Sequence, residues 1–285
     1  MSWKYQAVRL MPRRAVTRIV GKAAALNLPT PLRAPIFQAF AEAVGARVHE
    51  ADQDLASYTS FDAFFTRRLR RGLRPWNCAD GDIGAPCDGR VDQIGRTDEG
   101  RLIQAKGIEY RAETLIGAAH SLPWTRHAWY ATIYLSPADY HRVHVPWRGA
   151  VDVARRIGGD LWPVNQISVP RVDGLFVINE RVSGEFTLAD GRRAALVMVA
   201  ATVVGGIELA AALPAIPRSG DSWQASQVEA PIPMVPGDEF GVFHLGSTVV
   251  LLIEDLRREL APDPAVSLGS SIQLGAPLFV RGRPA

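Results

Sequence analysis

Phe243-His244-Leu245-Gly246-Ser247-Thr248-Val249-Val250-Leu251-Leu252 sets a Gly-Ser-Thr turn between two apolar, strand-like runs. Read for fold, it is a β-hairpin with a polar turn. Read for chemistry, it offers a serine hydroxyl placed to attack the carbonyl of the glycine before it. Glycine has no Cβ, so the backbone there tolerates strain and close approach. The neighbouring segments have the same texture. Strands are expected at 239 to 244 and 249 to 253, at Trp129 to Leu135, and at Phe186 to Leu188 and Ala194 to Val204 around the Ala189-Asp190-Gly191 turn. Leu196 to Val204 is apolar on both faces and should be buried.

Before about residue 83 the pattern is helical. Residues 4 to 26, 31 to 48 and 60 to 71 read as helices, with Pro12 restarting the first and Ser60 capping the third. The expected class is therefore α+β: a mainly antiparallel β core (76–285) carrying an N-terminal helical, membrane-associating region (1–75). The first segment holds Lys4, Arg9, Arg13, Arg14, Arg18 and Lys22 with no acid before Glu42, among Trp3, Tyr5, Val8, Leu10 and Ile19. That pattern suits a helix lying on anionic lipid, or a solvated basic helix packed on its own domain.

The 285 residues are 47% hydrophobic and 21% charged with a net charge of +3, which excludes a disordered chain. No run reaches the ~18 apolar residues of a membrane span, and no signal peptide is expected. Cys78 and Cys87 make no disulfide framework, in keeping with a reducing cytosol. No nucleic-acid partner is expected.

Three segments carry polar residues that a buried β core would otherwise exclude: Pro86-Cys87-Asp88-Gly89, Ser136-Pro137-Ala138-Asp139-Tyr140-His141-Arg142-Val143-His144, and Gly246-Ser247. Together they supply Asp, His and Ser, the parts that activate a hydroxyl. Ser136 and Pro137 resemble a helix start. On one helical turn His141 and His144 would share a face; on a strand they would point oppositely. The His141-x-x-His144 pair, with Asp139 nearby, could instead bind a metal, but a third ligand at a recognisable spacing is missing, and no metal is expected. Lys106 in Gln104-Ala105-Lys106-Gly107 could be displayed at a hairpin as in a lipoyl or biotin carrier. A non-catalytic membrane-surface protein is a further alternative.

These blocks, with Phe61 to Pro75, Asn179-Glu180-Arg181-Val182, Val203-Val204-Gly205-Gly206-Ile207-Glu208 and Leu245-Gly246-Ser247-Thr248, stand in the order found in the phosphatidylserine decarboxylase proenzyme family, which the sequence resembles along most of its length. The resemblance implies an Asp88, His144 and Ser247 triad, with His141 as the second active-site histidine. It implies self-cleavage between Gly246 and Ser247 into a β chain (1–246) and an α chain (247–285). Ser247 would become a covalent pyruvoyl group that takes the amine of phosphatidylserine as a Schiff base. It further implies a homo-oligomer held peripherally on the cytoplasmic face of the cell membrane. Leu268-Gly269-Ser270-Ser271 is set aside as a cleavage site because no apolar strand follows it. Cys87 replaces the family's usual alanine, and His244 lies unusually close to the nucleophile.

Overall fold

The computed structural model describes residues 3–165, 167–203, 206–213, 216 and 225–282; of Trp3, Lys4, Ala7, residues 225–230 and Ser247 it describes the backbone alone. Three helices open the chain, α1 (Trp3–Leu10), α2 (Arg13–Ala24) and α3 (Thr30–Val44), before a short α4 (Phe61–Phe65). Proline has no N–H to donate to the preceding turn, and at Pro12 the helix breaks: α1 stops before it and α2 restarts after it. Gly45, at φ +79°, ends α3 and donates its N–H to Ala41 O at 2.8 Å.

The remainder is β1 (Ile83–Gly84), β2 (Gly89–Arg96), β3 (Arg101–Ala105), β4 (Ile108–Arg111), α5 (Ala112–Ile116), β5 (Ala128–Leu135), β6 (Arg142–His144), β7 (Gly149–Ile157), α6 (Leu175–Ile178), β8 (Arg181–Leu188), β9 (Arg193–Val199), β10 (Gly206–Leu209), β11 (Ala225–Met234), β12 (Glu239–His244), β13 (Ser247–Glu254), β14 (Leu260–Pro262), β15 (Ser271–Ile272) and β16 (Pro277–Arg281). Eight strands form one antiparallel sheet in the order β11-β7-β8-β9-β13-β5-β2-β15, and β10-β12-β6 form a second. Strand β13 sits between β5 and β9 with Val249 to Ile253 wholly buried. Each such side chain contributes roughly 1.5–3 kcal/mol relative to exposure, so this strand is a rigid mount.

The helical part joins this core through specific contacts. Arg13 donates to Asp160 at 3.1 Å and lies 3.8 Å over the Trp162 ring. The Thr17 hydroxyl accepts the Val203 N–H. Phe37, Ala41, Tyr58 and Phe64 form a separate apolar cluster under α3 and α4.

Four expectations need correction. The third helix ends at Phe65 instead of 71, because the backbone beyond it is drawn to 50–52: Asp52 N–H donates to Arg68 O and Arg70 N–H to Glu50 O. Ser60 does cap it, accepting from Ala63 N–H at 3.1 Å. Residues 136 to 140 form a turn, not a helix, since Asp139 takes the N–H and hydroxyl of Ser136 and the chain then enters β6. The strand expected to reach Val204 ends at Val199, and Val204 lies outside the described residues. Finally, β12 and β13 are not a hairpin. They belong to different sheets, and Leu245-Gly246 is the step between them.

Candidate active site

At that step the backbone is left-handed twice in succession, Leu245 at φ +78° and Gly246 at φ +72°. Glycine adopts this freely, whereas leucine costs about 1–2 kcal/mol there. Ser247 is already in register with Leu135 as the first residue of β13. The Gly246–Ser247 peptide is thus pinned on one side by a buried ladder and bent sharply on the other. The Ser247 hydroxyl lies outside the described atoms.

His141 faces this peptide. A Cβ built on Gly246 would lie 3.6 Å from His141 Nε2, in ordinary van der Waals contact with the ring. The imidazole is fully buried under the Phe65 ring, whose centroid is 4.0 Å away. Neither ring nitrogen has a hydrogen-bond partner among the described residues; the Asp139 backbone approaches without completing a bond. Burial, with the nearby Arg67 charge, pushes its pKa down to about 3, so the ring is neutral at pH 7.

His144 lies on the same short segment but faces elsewhere. Its Nδ1–H donates to Gly237 O at 2.8 Å, which leaves Nε2 to accept from the Tyr140 hydroxyl at 3.2 Å. A carbonyl only accepts, so this contact selects the tautomer. Burial lowers its pKa as well. The His144 N–H bonds Pro86 O, bringing the Asp88 turn alongside. Asp88 itself, 2% exposed, is committed to other partners. Arg74 donates from Nε to Oδ1 at 2.9 Å and from Nη2 to Oδ2 at 2.6 Å, and the Leu274 N–H adds a bond at 2.9 Å. Arg74 Nη2 also reaches Glu50, and Arg47 stands 3.6 Å from Asp88. The structure therefore brings His141 to Gly246, and places Asp88 and His144 close by without a bond between them.

Leu245 and Gly246 line an apolar cavity of about 560 Å³. Its other walls include Val20, Ala23 and Ala24 of α2, Phe40, Phe61 and Phe65 of the helical cluster, and Pro163 and Val164. The backbone step thus sits where the helices meet the sheet.

The remaining candidates lie apart. Lys106 is exposed at the β3–β4 turn. The Ser270 hydroxyl is turned onto Ser267 O at 2.7 Å in a surface loop. Arg142 is held by Glu239 and Thr66 O, and burial raises the Cys87 thiol well above its usual value. His244 is bonded by Asp62 at 2.9 Å and Glu208 at 3.2 Å, which raise its pKa. Among the described residues, no group of three His, Cys, Asp or Glu could hold a metal ion. Sequence reasoning missed Arg67, Arg74, Phe65 and Tyr140. Arg67 was hidden in a basic run that resembled a helix end, and Arg74 lay just beyond it.

A bent, glycine-flanked peptide at the head of a buried strand, beside a histidine unpartnered among the described residues and an apolar cavity, marks this α+β protein's candidate site. Among known families, residues 61–279 match the phosphatidylserine decarboxylase family model, and the chain belongs to that family. It is 41% identical over 275 residues to a phosphatidylserine decarboxylase proenzyme of Anaeromyxobacter sp. (strain K), covering 95% of this chain and 96% of that one. Proenzymes of the same description from Myxococcus xanthus and Acinetobacter baylyi are 38% and 37% identical, over 93% and 87% of this chain and 95% and 86% of theirs.

Proposed function

We propose that this chain cuts itself between Gly246 and Ser247 and then decarboxylates phosphatidylserine to phosphatidylethanolamine. The observation that carries the reading is the His141 imidazole, buried and unpartnered, against the Gly246 backbone. In the first reaction the Ser247 hydroxyl attacks the Gly246 carbonyl and the peptide bond becomes an ester. Elimination then frees the Gly246 carboxylate, and hydrolysis of the dehydroalanine at 247 releases ammonia and leaves a pyruvoyl group. We assign the serine proton to His141, because its imidazole is the one that faces the Gly246 backbone. The relay of Asp88 and His144 requires the His144 ring to leave Gly237 O and Asp88 to loosen from Arg74.

The residues around position 247 fit such a group, because the two orphaned nitrogens of His141 await a polar partner there. The pyruvoyl group supplies an electron sink for the pair released when carbon dioxide departs. The chain supplies the rest. The apolar cavity takes acyl chain and excludes water, and His141 manages the proton that must return to the substrate carbon. An anion beside the buried imidazole raises its proton affinity, so the ring can gain that proton as substrate arrives.

The helices suit a lipid surface. Leu10, Ile19 and Leu26 are 82%, 68% and 64% exposed on α1, α2 and just after it, beside Arg9, Arg18 and Lys22. Val20 and Ala23 of the same helix line the cavity, so a lipid could pass from bilayer to site along α2. No helix among the described residues is long and apolar enough to cross a membrane.

The test is a denaturing gel with mass analysis of purified protein beside Ser247→Ala. The wild type should give two fragments, the second starting at 247 with a blocked N-terminus and a carbonyl reactive to phenylhydrazine. Ser247→Ala should give one full-length, inactive band. A wild type that remains uncut yet active would refute the reading.

A further inference from the structure

The side chains of Arg74, Arg155, Arg156 and Arg181 are buried, and each has charged or carbonyl partners. Arg74 holds Asp88 and Glu50, and Arg155 holds Glu185. Arg156 reaches the carbonyls of Ile207 and Ile216 with Glu180 alongside, and Arg181 reaches those of Thr114, Leu115, Val177 and Asn179. Arg67 differs. It is 4% exposed, its Nε has no hydrogen-bond partner among the described residues, and its Nη2 makes a long 3.4 Å contact to Ala138 O. Glu50, Asp88 and Asp139 lie within electrostatic range, but their oxygens serve Arg74 and Ser136. A buried cation held by diffuse attraction and the Phe64 ring at 5.2 Å costs stability that a structural arginine would recover through direct bonds.

The unfilled guanidinium is near enough to the other unfilled group to act on it electrostatically. Arg67 follows Phe65, whose ring covers His141, and Arg67 acts electrostatically on that imidazole. Arg67 Nε and both His141 nitrogens are thus orphaned buried atoms in one corner, closed on one side by the intact Gly246 turn. We propose that Arg67 and His141 form an oxyanion-binding pocket for the substrate headgroup, sealed by the 245–247 turn until the chain is cut there. A guanidinium fork matches a carboxylate or phosphodiester oxygen pair, and both groups occur in the headgroup. Binding places an anion against His141, which favours the protonated imidazole.

This inference rests on the proposed activity, and the experiment separates their failures. Processed wild type and Arg67→Gln are compared with short-chain phosphatidylserine as substrate and its carboxyl methyl ester as inhibitor. A charge-assisted bond of about 1.5–3 kcal/mol predicts a KM for phosphatidylserine raised on the order of 10- to 100-fold in Arg67→Gln, partly restored in Arg67→Lys. If the phosphodiester is the ligand, inhibition by the methyl ester weakens in parallel; if the carboxylate is, that inhibition is unchanged. A KM within twofold of wild type in processed Arg67→Gln overturns the pocket. Should Arg67→Gln stay uncut, Arg67→Lys decides: the fork's loss predicts a raised KM at a near-normal kcat, and a wild-type KM overturns it. A wild type that neither cuts itself nor releases carbon dioxide defeats the activity instead.

Discussion

Arg67 and Arg74 enter the protein from one stretch of chain and meet opposite fates. Arg74 is locked by two carboxylates, one of them the 2%-exposed Asp88, which also accepts the Leu274 N–H. Arg67 ends beside His141 with donors to spare. Satisfied polar groups fix a fold, whereas buried unsatisfied ones are tolerated where a ligand or a reaction completes them. The Arg74 knot holds the Asp88 turn and the end of the chain together, and the Arg67 corner is where we place the chemistry.

The contrast can be broken by mutation. His141→Ala should slow self-cleavage and decarboxylation about 10²–10⁴-fold, the usual range for a lost acid–base group, with the fold retained; circular dichroism and cleavage time courses check both. His144→Ala should slow cleavage less if the described conformation is the reacting one, and an equal or greater loss would transfer the base role to His144. Asp88→Ala should behave as a stability mutant, costing about 3–5 kcal/mol in urea unfolding because Arg74 loses a buried partner. A stable but uncut Asp88→Ala protein would return the carboxylate to the reaction.

The histidines also predict a pH signature. The pKa of His244 is raised, first by its Asp62 hydrogen bond, so its stabilisation is complete below the unfolded value near 6.5 and is lost as pH rises through the folded value. His141 is depressed to about 3, so stability falls as pH drops from about 6.5 toward that value. His244→Gln should flatten the alkaline limb of melting temperature against pH, and His141→Leu the acid limb. The smallest effect belongs to the turn. Leu245→Gly should relieve a left-handed leucine and change stability by no more than about 1 kcal/mol, measurable by thermal melts in the uncut Ser247→Ala background.

Much of the scaffold was legible because it is written in local pattern. The antiparallel core, the Pro12 restart, the Ser60 cap and the strand at 239 to 244 follow from periodicity, missing N–H groups and capping. Local pattern failed where distant chain competed. Residues 66 to 71 resembled a helix end, but their backbone is bonded to 50–52. Ser136-Pro137 resembled a helix start, but Asp139 captures the Ser136 N–H and hydroxyl first. The hairpin expected around Gly246 is a passage between sheets, because β13 finds β5 and β9 as neighbours and not β12.

By itself the sequence determined the class of fold and the family, and it offered Asp88, His141, His144 and Ser247 as candidate side chains, since these depend on residue type and order. Only the tertiary structure decided which groups are spent and which are spare: Asp88 on Arg74, His144 on Gly237, His141 and Arg67 Nε on nothing described. Hydrogen bonds between residues so far apart in the chain leave no trace in spacing, because they are settled by burial and by which partner arrives.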